Sequence, residues 1–113
     1  MFDVTLNQMA NAITVTHVSL HTDDPGTGAA NELSGGTYSR APIAYNPAAA
    51  GVRAQTADVF INVPAGKTVS WYVLWDGTTA KRKGDLPDEA FNQAGQYKLT
   101  GTTLSAQNPA PIV

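Results

Sequence analysis

Cysteine is absent from the 113 residues. That removes disulfides, thiolate metal sites and cysteine nucleophiles from consideration. Charge is scarce as well, with Asp, Glu, Lys and Arg making up 14% of the chain where a soluble domain carries about a quarter. A helical bundle or coiled coil would be rich in Glu, Lys, Arg and Leu, so those architectures are disfavoured. No apolar run nears the ~18 residues of a membrane-spanning helix. The opening Met1-Phe2-Asp3-Val4 lacks the basic start and apolar stretch of a secretory signal. Synthesis in a cytoplasm is therefore the expectation, with no membrane partner. Seven basic residues against nine acidic ones leave a net charge of −2, so no basic field exists to attract nucleic acid.

What replaces the missing charge is Ala, Thr, Gly, Asn and Pro, including 10 Gly and 7 Pro. That composition suits many short strands joined by turns. At 11.9 kDa the chain fits one domain, and folding buries roughly 65% of the surface of the open chain. Leu6, Met9, Ala10 and Ile13 recur with a helical period, which predicts a short helix within 1–13. From residue 15 the period becomes two. Val18 and Leu20 alternate with His17, Ser19 and His21, which predicts a half-buried strand with both histidines outward. A long turn-rich connection follows through Asp24, Pro25, Gly26, Asn31, Glu32, Gly35 and Gly36, and long ordered loops are often functional. Further strands are predicted over 37–45, 52–56 and 58–63.

Residues 68–75 form the strongest strand pattern, apolar on both sides, which predicts a central strand covered on two faces. Trp71 and Trp75 are expected in the core beside Val69 and Val73, with Tyr72 showing an edge. Asp76-Gly77 is a hairpin signal returning residues 78–83 alongside. Residues 84–92 read as loop, 96–105 as the last strand, and 106–113 as an extended tail whose Ile112 and Val113 are candidate partner contacts. The fold class is all-β: one small antiparallel β-sandwich over 1–113, Ig-like or jelly-roll-like, with a short N-terminal helix. A partly closed barrel is the alternative.

Few residues suggest chemistry. His17 and His21 lie on one strand face but about 13 Å apart at ~3.3 Å per residue, too far to share an ion. Asp23-Asp24-Pro25-Gly26 lacks the frame and closing Glu of a calcium loop. No nucleophile elbow occurs, and Asp85, Asp88 and Glu89 have no apolar pocket evident in sequence to raise one of them. Neither cofactor nor metal is expected. Lys81-Arg82-Lys83 is a basic run suited to a solvated face or an acidic partner. Tyr72 is a further candidate contact, because aromatic rings bind sugars or proteins at low entropic cost.

Three stretches carry a resemblance: Thr16-His17-Val18-Ser19-Leu20-His21-Thr22-Asp23-Asp24-Pro25-Gly26, Gly28-Ala29-Ala30-Asn31-Glu32-Leu33-Ser34-Gly35-Gly36-Thr37-Tyr38-Ser39-Arg40, and Trp71-Tyr72-Val73-Leu74-Trp75-Asp76-Gly77. Together they resemble a family of small virion proteins of tailed bacteriophages, whose members are labelled tail-fibre, minor tail or head-decoration proteins. The resemblance covers about the first two thirds of the chain and departs from residue 78 onward. It supplies no catalytic residues. It implies a non-enzymatic virion component, either a capsid-surface decoration or a minor tail or fibre protein. The expected partners are other virion proteins, major capsid or tail subunits, and copies of itself. In the loop, Asn31, Glu32 and Tyr38 are expected to fix the backbone by hydrogen bonds and Arg40 to pair with Asp23 or Asp24. The alternative function is a carbohydrate-binding module for host adhesion, with a host-surface glycan as partner.

Overall fold

A computed structural model describes residues 14–105 and 109–112. The helix expected within 1–13 lies outside the described residues. Among those residues the chain is all-β, without a helix. The strands in chain order are β1 (His17–His21), β2 (Ala41–Pro42), β3 (Arg53–Ala54), β4 (Val59–Val63), β5 (Lys67–Asp76), β6 (Thr79–Phe91), β7 (Gly95–Leu99), β8 (Thr103–Leu104) and β9 (Ala110–Pro111). All pairings between these strands are antiparallel. A five-stranded sheet has the order β2-β1-β5-β6-β9, and two ribbons pair β3 with β8 and β4 with β7.

β5 sits at the centre of the large sheet. It is long because Val, Trp, Tyr and Thr suit an extended, packed backbone. Its register with β1 sets Leu20 against Tyr72 and Ser19 against Val73. On its other side the ladder with β6 is interrupted: Val69 pairs with Glu89 and Trp71 with Asp85. Leu86, Pro87 and Asp88 therefore stand opposite Ser70 alone. A bulge is a place where a proline, which has no N–H to give, is tolerated.

That irregularity changes which side chains share a face. Val69 joins Tyr72 and Leu74 in the hydrophobic core, with Val18 and Leu20 of β1, Val59, Ile61 and Val63 of β4, Leu99 of β7 and Leu104 of β8. Trp71, Val73 and Trp75 instead share the opposite face with Ser19 and His21. The strand is thus covered on both sides, as its pattern predicts, but the tryptophans are not on the Val69 side. Tyr72, expected to show an edge, is buried at 7% exposure. Its ring lies over Gly84, its cross-strand neighbour. Each fully buried Val or Leu contributes about 1.5–3 kcal/mol, which ties the ribbons to the sheet.

Two further expectations are corrected. Residues 84–92 read as loop because of Gly84, Pro87 and the acidic residues, yet 84–91 continue β6, since pairing with β5 outweighs weak edge-strand propensities. The last strand, expected over 96–105, is broken: Gly101 adopts φ 71°, so β7 pairs with β4 and β8 with β3. The described part of the C-terminal segment runs extended along β6 as β9. Ala110 and Pro111 pair with Lys83 and Arg82, and the Ile112 amide donates to the Lys81 carbonyl at 3.0 Å.

Candidate functional site

The second face of the large sheet is covered by the loop of residues 22–40. Its first turn is built by side chains that mimic backbone. Asp23 Oδ1 accepts from the Asp24 amide at 2.8 Å and Asp24 Oδ1 from the Gly26 amide at 2.9 Å. Pro25 is buried beneath. Asn31 holds φ 61°, a left-handed conformation that Asn tolerates better than most residues, and its amide donates to the Asp24 carbonyl at 3.0 Å. The next residue, Glu32, bridges back to His21 at the end of β1. Gly35 and Gly36 both have positive φ, and Tyr38 N donates to the Gly35 carbonyl at 3.2 Å. This turn sends Tyr38 and Arg40 back over the sheet.

There the three polar side chains converge. The Tyr38 hydroxyl donates to Glu32 Oε2 at 2.8 Å. Arg40 grips the same carboxylate twice, Nε to Oε2 at 3.0 Å and Nη2 to Oε1 at 2.8 Å. The Arg40 guanidinium also lies over the Trp75 ring, 3.7 Å from its centroid, a favourable cation–π contact. The expected pairing of Arg40 with Asp23 or Asp24 is therefore corrected. Register places Arg40 beyond Ala41, above Ser19 and next to Glu32, whereas Asp24 is met by Lys83 Nζ at 2.9 Å from β6.

A chain of buried donors runs beneath this clamp, and its direction follows from chemistry. Trp75 Nε1 can only donate, and it donates to Ser19 Oγ at 2.7 Å. A backbone carbonyl can only accept, so His21 Nδ1 carries the proton that reaches Ala30 O at 2.8 Å. Burial disfavours a charged imidazole here, so His21 Nε2 carries no proton and accepts the Ser19 hydroxyl at 2.7 Å. The imidazole is thus neutral in one fixed tautomer. Among the described residues no buried side-chain nitrogen or oxygen lacks a partner. Serine and histidine at this distance elsewhere make a nucleophile and its base. Here both have 0% exposure, so a substrate has no route to the hydroxyl. The expected outward histidine is corrected: β1 is covered on both faces, and only His17 is partly exposed, with Nδ1 2.9 Å from Thr16 Oγ1.

Electrostatics agree with this picture. Burial holds His21 below its ordinary pKa, helped by the Arg40 charge and opposed by the Ala30 carbonyl and Glu32. Burial alone would raise Glu32, but the hydrogen bonds from Arg40 and Tyr38, and the Arg40 charge, bring it below the usual carboxylate range. Tyr38 is pushed well up by burial and by its bond to Glu32. Asp24 is lowered by the Gly26 amide and by Lys83.

The candidate partner contacts do not converge. Lys81, Arg82 and Lys83 are half-buried along β6; burial lowers Arg82, and Lys83 is held by Asp24. Ile112 is half-buried beside β6, and Val113 lies outside the described residues. Phe60 of β4, 56% exposed, was not singled out from sequence. Nor were Ser19 and Trp75 as parts of one network, although a central strand covered twice already required something over the Ser19–His21 face. Among the described residues no group of three or more metal-ligating side chains assembles.

Fold and loop together define a small antiparallel β scaffold whose most elaborate chemistry holds its own loop in place. The chain belongs to the tailed-phage virion family described as Podophage GP4 fiber I protein gp80, whose profile matches residues 1–86. The match takes in β1 to β5, the whole clamped loop and the first part of β6. No curated protein and no solved structure matches the chain.

Proposed function

We propose that this protein is a non-enzymatic structural component of a phage tail fibre, incorporated by binding other virion subunits and copies of itself. The observation that carries this reading is the family match across residues 1–86. The clamp supports it: Glu32, Tyr38, Arg40, Ser19 and His21 satisfy one another, which suits a rigid block better than a reactive centre. The family description favours the fibre over the capsid-surface decoration expected from sequence. Low charge supports close packing between subunits, because few ions need desolvation at an interface.

Mass spectrometry of gradient-purified virions tests the proposal. Peptides of this chain should copurify with intact particles and leave with the fibres when these are sheared off. A chain recovered only from the soluble lysate would overturn it.

A further inference from the structure

The half-buried Trp71 takes no part in the clamp. It lines an open depression of about 490 Å³ together with Tyr72, Lys83, Gly84, Asp85 and Thr103. That volume falls in the range of small-ligand clefts, about 300–1,000 Å³. The depression lies where the β6–β9 ladder stops. Pro109 is on its wall and has no N–H with which to continue pairing. Where a side chain on Gly84 would stand, the Tyr72 ring lies instead, and both residues line the depression.

The chemistry of the walls is selective. Lys83 has its ammonium on Asp24 Oδ1 at 2.9 Å and on the Gly26 carbonyl at 3.2 Å, and the same nitrogen sits 5.9 Å from the Trp71 ring centroid. Its charge is already answered by Asp24. Asp85 is exposed, and its carboxylate has no hydrogen-bond or ion-pair partner among the described residues. An anionic ligand would meet this carboxylate without a free cation to offset it. A ligand with several hydroxyl donors and an apolar C–H face fits both features, since the donors satisfy Asp85 and the C–H groups pack on indole. Thr103, exposed at the rim, adds a hydroxyl that can donate or accept.

We propose that the depression walled by Trp71, Asp85 and Thr103 binds a neutral pyranose unit of a glycan. Its open shape suits one residue of a longer saccharide chain. The site stands independently of where in the particle the protein sits, so it can fail while the fibre assignment holds.

The test is nitrogen-15 NMR on the whole chain, titrated with glucose, galactose, N-acetylglucosamine and their β-1,4-linked and α-1,4-linked trimers. The protein has two tryptophans, so two indole N–H signals report, and Trp71→Phe assigns them. The Trp71 signal should shift saturably with at least one sugar, while Trp75, bonded to buried Ser19, stays still. Backbone amide shifts should show at least tenfold weaker binding in Trp71→Ala and several-fold weaker binding in Asp85→Asn. Phe60→Ala, on the outer face of β4, should bind as wild type. No saturable shift with any of these sugars up to tens of millimolar, or undiminished binding in Trp71→Ala and Asp85→Asn, would overturn the proposal.

Discussion

Arg40 covers the Trp75 ring at 3.7 Å from its centroid while two of its guanidinium nitrogens, Nε and Nη2, hold both oxygens of Glu32. One side chain thus fastens the loop to itself and to the central strand. Arg40→Ala leaves a partly buried carboxylate without its charge partner and uncovers the indole. The Arg40 side chain is about a third exposed, so the cost falls below that of a fully buried pair, at about 2 kcal/mol. Arg40→Lys should recover less than half of it, because an ammonium cannot reproduce the planar two-bond grip. Urea denaturation measures both variants. Unchanged stability and unchanged virion incorporation in Arg40→Ala would contradict the clamp.

The buried His21 predicts a pH response. Its pKa in the folded chain lies below the ordinary 6.5, so between those values the unfolded chain binds a proton that the folded chain refuses. Stability is full above about pH 6.5 and falls as pH drops toward the lower folded value, with a slope of at most about 1.4 kcal/mol per pH unit. Glu32 acts in the same direction lower down: its contribution is present above the ordinary 4.5 and is lost as pH falls through its depressed folded value. Chemical denaturation between pH 8 and pH 3 should show two successive declines. His21→Gln, weaker at neutral pH, should lose the upper decline and keep the lower. An identical profile in the variant would assign the upper step to another group.

Gly84 and Tyr72 occupy one space. A Cβ at position 84 would fall within the Tyr72 ring, so Gly84→Ala forces a core side chain out of place and should cost about 2–3 kcal/mol. Tyr72→Phe leaves the clash with the ring, whereas Tyr72→Ala removes it. The penalty of Gly84→Ala should therefore persist in the Phe background and shrink by at least half in the Ala background. Thermal unfolding of the paired variants reads this coupling, and simple additivity with Tyr72→Ala would show that ring and backbone do not compete.

Local patterns carried much of the fold. The alternation at 18–20 and 59–63, the central position of 68–75 and the Asp76-Gly77 hairpin all follow from period and turn chemistry. What sequence did not reveal depends on long-range pairing. The bulge opposite Ser70, which sends Val69 and Trp71 to different faces, exists because β6 carries Leu86, Pro87 and Asp88 against one β5 residue. No local rule on β5 announces it. The same reason hid the continuation of β6 through Pro87. Within the loop, the residue types for hydrogen bonding were evident, but the partner of Arg40 depended on Glu32 folding back to pair with His21. Asp24 in turn meets Lys83, a cation that only the pairing of β6 with β5 brings near it.

Cryo-electron microscopy of purified virions tests the central claim most directly. The clamped β scaffold should fit density in the tail fibre, repeated in each fibre and in contact with neighbouring virion subunits. Fibres fully accounted for by other chains, with this one nowhere in the particle, would contradict the account.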